Sequence, residues 1–231
     1  MKAIILAAGI GQRMSPLTKD KIPKSLLTVG NETLIGRQVR MLKSAGIQNI
    51  VIVTGFLSGK IKAHVKSVGV TFCHNRDFKK TTNTYSLSLA SRYFDDDIII
   101  LLADVIFEER LLTELLKSNN QISILFGKKK CDREDVRVRI NQNILCKISK
   151  DIPLDVCHGE FIGLATIKKK KLDVFKCYLE EGMRHYPNNN WHIAFQEMID
   201  NGSVVNCVIA NGFWVGCNRP SDYEEARRLF E

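Results

Sequence analysis

The chain has 231 residues, of which 45% are apolar and 26% charged. That is the composition of a folded globular protein, long enough for a substantial core, and it excludes disorder as the main state. Thirty-four basic against 25 acidic residues leave a formal charge of +9. This balance suits nucleic acid, an anionic membrane surface or small phosphate-bearing ligands, and selects none of them.

In chain order, Ala3–Ala8 is a nearly all-apolar run of the kind expected for a parallel strand covered on both faces. Lys2 before it mimics a signal peptide, but the run passes into Gly9, Gly11 and Arg13 without a cleavage pattern. Leu34, Val39, Met41 and Leu42 mark a helix closed by Gly46. Strands are predicted at Ile50–Val53, Val70–Cys73 and Ile98–Leu102, with helices at Ile61–Val65, Leu87–Tyr93 and Glu109–Lys117. A meander follows over Ile122–Phe126, Val136–Ile140 and Ile144–Ile148, then a strand at Phe161–Ile167. Helices at Leu172–Glu181 and Trp191–Asp200, a strand at Val204–Val208 and a helix at Asp222–Phe230 complete the chain. Strand–helix alternation in the first half argues for a three-layer α/β protein with a mostly parallel sheet. The longest apolar runs, Ala3–Ile10 and Ile98–Ala103, fall far short of the roughly 20 residues of a membrane span, so no membrane insertion is expected.

Seven cysteines, an odd number without a Cys-x-x-Cys pair, argue against a disulfide framework or a structural zinc site. Reduced thiols in a cytoplasmic protein are expected.

The segment Leu6-Ala7-Ala8-Gly9-Ile10-Gly11-Gln12-Arg13-Met14 carries glycines directly after the first strand. They let the backbone approach a ligand closely and aim N–H groups at an anion, and Arg13 adds a planar fork of donors. A dinucleotide fingerprint needs a third glycine where Met14 stands. A Walker A loop fails at Gly55–Ile61, which is one residue short and has Ile61 in place of the hydroxyl. An ordinary strand-to-loop turn also fits Gly-x-Gly alone. Downstream, Pro23-Lys24-Ser25-Leu26-Leu27 sets a lysine in a rigid turn, where it can reach a phosphate as a point charge. Asp104 ends the apolar strand Ile98–Ala103, at the strand end where open α/β sheets bind ligands.

Leu-Ala-Ala-Gly-x-Gly-x-Arg-x-x-Pro-Leu-Thr followed by Pro-Lys-x-Leu resembles the nucleotidyltransferases that activate sugar phosphates and phospho-alcohols. The stretch between Thr18 and Pro23 is slightly longer than in many relatives. The resemblance implies a Rossmann-like (GT-A-like) α/β fold, one nucleotidyltransferase domain over residues 1–231, with nucleotide binding over about 1–130 and a small acceptor-binding lobe over about 131–231. It implies that Leu6, Ala8, Gly9, Gly11 and Gln12 bind nucleotide, that Arg13 and Lys24 serve catalysis at the phosphates, and that Mg2+ sits on Asp104 and Asn218. Many relatives carry Asp where Asn218 stands; Asp222 is a fallback ligand or the start of the last helix.

Thr81–Leu87 resembles the Asn-x-x-Ser-Leu segment of the cytidylyltransferases for choline phosphate, aminoethylphosphonate and inositol phosphate, so Asn83 and Ser86 are expected to read the base of CTP. Simple capping of a helix is the other reading of this polar run. His158–Gly163 resembles the family's Gly-Glu-x-x-Gly acceptor element, which implies Glu160 with Asp155, Trp191 and Glu197 as the acceptor pocket. Trp191 and Phe195, four apart, equally fit a core stripe. Lys128–Lys130 and Lys168–Lys171 lack interleaved aromatics, and read as solvated turns or helix starts rather than a nucleic-acid surface. The implied partners are CTP and a small phosphorylated acceptor, without nucleic acid; a homo-oligomer is compatible. Alternatives are a uridylyl- or thymidylyltransferase for sugar 1-phosphates, and a catalytically weak nucleotide-binding homologue.

Overall fold

The structure is a computed structural model that describes residues 1–231 apart from the side chain of residue 67. Its strands are β1 (Lys2–Ala7), β2 (Thr28–Val29), β3 (Glu32–Thr33), β4 (Asn49–Thr54), β5 (Thr71–His74), β6 (Ile98–Leu102), β7 (Val105–Phe107), β8 (Ile122–Gly127), β9 (Arg137–Asn141), β10 (Ile144–Ser149), β11 (Gly159–Ile167), β12 (Asn206–Ile209) and β13 (Trp214–Gly216). The helices are α1 (Ser15–Thr18), α2 (Leu34–Ser44), α3 (Ser58–Val65), α4 (Asn83–Ala90), α5 (Glu109–Leu116), α6 (Leu172–His185), α7 (Ile193–Asp200) and α8 (Pro220–Phe230).

Nine strands form one sheet in the order β5-β4-β1-β6-β11-β8-β12-β10-β9. The pairings β5–β4, β4–β1 and β1–β6 are parallel, as is β8–β12, whereas β11 runs antiparallel to both neighbours. This is a Rossmann-like α/β sheet, mostly parallel and mixed. Its apolar strands are buried on both faces because successive side chains point opposite ways. Ile4 and Leu6 pack with Leu87, Phe175 and Phe195 on the side of α4, α6 and α7. Ala3 and Ile5 pack with Val39, Leu42 and Leu112 on the side of α2 and α5. At the far end β11 shifts register between Phe161 and Leu164. Its first residues pair with β9, so β11, β8, β12, β10 and β9 close on themselves.

The elements expected from sequence are present, but the meander expected over β8, β9 and β10 is not: β8 lies between β11 and β12, and only β9 and β10 pair with each other. Three boundaries also shift. The strand predicted at Val204–Val208 is Asn206–Ile209, the last helix begins at Pro220, and the helix predicted at Ile61–Val65 begins at Ser58. Two short pairs were not predicted: β2–β3 and the antiparallel β7–β13. A third apolar cluster ties these pairs to the glycine loop, with Met14 packed among Leu34, Ile106, Val215 and Ala226. Met14 is fully buried, so the residue that breaks the dinucleotide fingerprint serves as the loop's anchor. The longer stretch after Thr18 turns through left-handed backbone at Lys19 and Asp20, φ 48° and 53°. Among the described residues the seven cysteines are free thiols, and no helix is long and apolar enough to cross a membrane.

Gln38 on α2 fixes the corner between β6 and β7. Its amide donates to Leu102 O at 2.9 Å and to Val105 O at 2.8 Å, and the residue is 2% exposed. Gln38→Leu leaves those carbonyls without a donor, and a loss of about 2 kcal/mol of stability is expected in urea unfolding, with an unchanged m value.

Candidate active site

Asp104 follows β6 and precedes β7, while Asn218 follows β13. The β7–β13 pairing sets Gly216 opposite Val105, and Cys217 N donates to Asp104 O at 2.8 Å. Two residues far apart in sequence are thereby stitched side by side. Asp222 Oδ2 accepts from Asn218 N at 2.9 Å and Arg219 N at 2.8 Å, so it caps α8 and orients Asn218, and it also lines a cavity of the site.

Lys24 opens a short 3-10 turn behind Pro23. Its Nζ lies 2.5 Å from Asp104 Oδ2 and donates to Asn218 Oδ1 at 3.2 Å. Gly11 has φ +71°, a backbone region that favours glycine, and a β-carbon there would lie 3.3 Å from Lys24 Cβ. The loop thus passes directly against the lysine stem. Among the described residues the N–H groups of Gly9, Ile10 and Gly11 make no hydrogen bond within the protein. Gly9 and Gly11 border the site, so their amides are free donors for an anion. Gln12 is exposed and lines a groove with Gly11, Arg13, Lys24 and Asn218.

A cleft of about 240 Å³ lies over these strand ends. Leu6, Ala8, Gly9 and Arg13 border it from β1 and its loop, Asn83 and Ser86 from α4, and Asp104, Glu160 and Asn218 from the opposite side. Ser86 is 2% exposed, and its hydroxyl accepts from Asn75 Nδ2 at 3.0 Å. Asn75, buried and absent from the sequence reading, also donates to Thr81 Oγ1 at 3.0 Å and so shapes the polar segment. Asn83 does not cap α4; its Oδ1 accepts from Trp191 N at 2.9 Å, which leaves its amide donors for the cleft.

A second cavity of about 340 Å³ shares Arg13, Glu134, Glu160, Trp214 and Asn218 with the first. The Trp214 ring lies on Gly127, where any β-carbon would strike it. Arg13 Nη1 meets Glu134 Oε2 at 3.2 Å across the junction. Lys129, expected as part of a solvated run, instead faces this cavity with Nζ 2.6 Å from Glu160 Oε2 and 3.1 Å from Asp135 Oδ2. Asp135 itself accepts from Asp132 N at 2.8 Å, which fixes the loop that carries them.

Three acceptor candidates fall outside both cavities. Trp191 is 1% exposed and packs edge-on against Phe161 and Phe195, so the core-stripe reading of its spacing holds. Glu197 faces His185 Nδ1 at 3.5 Å on the α6–α7 side. Asp155 is exposed in the loop before β11 and lines neither cavity. His192 is buried, and burial with Lys150 nearby lowers its imidazole to about 4, so it is neutral near pH 7.

The family model for the MobA-like NTP transferase domain matches residues 3–134, more than half of the chain. The chain belongs to this family and is a nucleotidyltransferase. It is 27% identical to the CTP:phosphoglutamine cytidylyltransferase of Campylobacter jejuni, over 97% of this chain and 98% of that protein. It is 34% identical to the choline-phosphate cytidylyltransferase of Streptococcus pneumoniae over 51% of each chain. Among solved structures, the inositol-1-phosphate CTP transferase of T. maritima superposes with a TM-score of 0.82 at 23% identity, covering 99% of this chain and 95% of that one. The CTP:phosphocholine cytidylyltransferase of Streptococcus pneumoniae gives 0.80 at 21% identity, covering 100% and 99%. These two likenesses are likenesses of fold.

Burial pushes the Glu160 carboxyl up to about 7, with Asp135 adding to the rise and Lys129 opposing it. The folded protein therefore keeps a proton that the unfolded chain releases near 4.5. This group's contribution to stability is full below the unfolded value and is lost as pH climbs through the folded one. Glu160→Gln, which does not titrate, is expected to lose less stability than the wild type between about pH 5 and pH 8; denaturant midpoints across that range measure the difference.

Proposed function

We propose that the protein transfers CMP from CTP to a small phosphorylated or phosphonate acceptor, giving a CDP-linked product and pyrophosphate. The observation that carries this reading is the meeting of Lys24, Asp104 and Asn218 beside a glycine loop with free amides. The full-length likeness to a cytidylyltransferase supports CTP, as does Asn83, whose amide can donate to a pyrimidine acceptor atom.

In this reading Gly9–Gly11 and Gln12 cup the triphosphate, and Arg13 exchanges Glu134 for β- and γ-phosphate oxygens. Lys24 neutralises charge that builds at the α-phosphate. An acceptor phosphate oxygen forms a bond to the α-phosphorus, the bond from that phosphorus to the α,β-bridging oxygen breaks, and pyrophosphate leaves with the electron pair. Such a transfer asks for positioning and fixed charge rather than a covalent intermediate. The donor set fits a magnesium ion: the Asp104 carboxylate and Asn218 amide oxygen already converge on one cationic centre, Lys24 Nζ. Two protein oxygens suit an ion that takes its other ligands from triphosphate and water. When bound, it would neutralise triphosphate charge. Carboxylates and the Trp214 face in the second cavity favour an acceptor that is cationic at the end remote from its phosphate, as phosphocholine and aminoethylphosphonate are.

Pyrophosphate release, measured with magnesium, each NTP in turn, and phosphocholine, aminoethylphosphonate, inositol phosphate, phosphoglutamine and sugar phosphates, is expected with CTP and one acceptor. Binding of CTP without release for any acceptor refutes turnover and leaves a nucleotide-binding homologue. Release with UTP or dTTP alone refutes the base assignment. Lys24→Ala and Asp104→Ala are each expected to slow turnover by about 10²-fold or more, the scale of losing one charge stabiliser; wild-type rates in both place the chemistry elsewhere.

A further inference from the structure

Among the described residues, the cations that line the two cavities are Arg13, Lys129, Lys150 and Arg219, and Lys24 lines the adjoining groove. Of these five, four are committed to carboxylates. Arg13 meets Glu134 at 3.2 Å, and Lys150 lies 3.9 Å from the same group. Lys24 meets Asp104 at 2.5 Å, and Lys129 is held between Asp135 and Glu160. Arg219 lines the second cavity and, among the described residues, makes no ion pair.

Its placement is fixed by the backbone rather than by its side chain. Arg219 is extended, φ −131° and ψ 161°, and its N–H is held by Asp222 Oδ2 at 2.8 Å, with Pro220 following at the first turn of α8. Asn218 reaches Lys24 and also borders the second cavity, which Arg219 lines beside it. The acidic residues of that cavity are Asp132, Glu134, Asp135, Glu160, Asp222 and Glu225. A phosphate entering it is repelled by these groups, and Arg219 alone can receive it without first breaking an ion pair. The guanidinium fork matches two phosphate oxygens at once.

We propose that Arg219 binds the phosphate or phosphonate group of the acceptor and holds it beside Asn218, at the border between the two cavities. This rests on the transferase reading above, and gives the acceptor cavity a polarity: a cationic end for the group that attacks, and acidic walls for the remainder.

The test is a titration of inorganic phosphate, followed by calorimetry, with and without saturating α,β-methylene CTP and magnesium. With the nucleotide site filled, the wild type is expected to bind one phosphate. Arg219→Ala weakens that binding about tenfold or more, the scale of a lost charge-assisted hydrogen bond, while leaving the affinity for the CTP analogue and the melting temperature unchanged. Arg219→Lys, which keeps the charge and loses the fork, falls between the two. Arg228→Ala, an exposed arginine on the same helix that removes the same charge outside both cavities, leaves phosphate affinity as in wild type. Equal phosphate affinity in wild type and Arg219→Ala, an equal loss in Arg228→Ala, or no phosphate bound beside the analogue overturns the proposal. Failure of the analogue to bind at all refutes the CTP reading instead, and the titration without analogue then still decides whether phosphate affinity depends on Arg219.

Discussion

One ammonium group organises the site. Lys24 Nζ sits between the Asp104 carboxylate and the Asn218 amide oxygen, and the lysine and aspartate side chains are only 15% and 25% exposed. At such partial burial a charge pair is screened less than at the surface, and an unpartnered member is costly. Each of the three residues comes from a different part of the chain: a proline-led turn, the end of a central strand, and the approach to the last helix. Their meeting therefore reports that this whole end of the sheet is assembled. The β7–β13 pair is the physical reason they meet, because it ties the residue after β6 to the residue after β13 by main-chain bonds alone.

Around that centre the charges are arranged in opposition. On the loop side, free amides and Arg13 offer positive potential. On the far side, the loop between β8 and β9 brings Glu134, Asp135 and Lys129, and β11 brings Glu160. Asp132 and Asp135 hold this loop by accepting its own amides, so its acidic groups are set by local turns rather than by long-range packing. The two faces meet at the Arg13–Glu134 contact, where any anion that binds Arg13 must take the place of a carboxylate.

The parallel core was legible because its strands, such as Ile98–Leu102, are apolar without alternation, and its helices α2 and α5 carry a clear apolar stripe. The glycine loop, Lys24, Asp104 and Asn218 were legible as a motif with fixed order. The β7–β13 pair was not, since each strand has three residues and one of them ends in glycine, too short for any period to register. Lys129 was hidden in a run of three lysines; which of them turns inward depends on Glu160 and Asp135, which the fold brings to it from outside that run. Trp191 shows the reverse case. Its spacing from Phe195 fitted both a core and a pocket, and packing against Phe161 decided for the core.

The return of β11 onto β9 has a bearing on how the molecule behaves among its own copies. Every strand of the nine-stranded sheet except β5 has a hydrogen-bonded neighbour on both sides. The outer edge at β5 is a ribbon of four residues, Thr71–His74, carrying an exposed threonine and an exposed histidine. A rim so short and hydrophilic offers little template for strand-to-strand association between molecules.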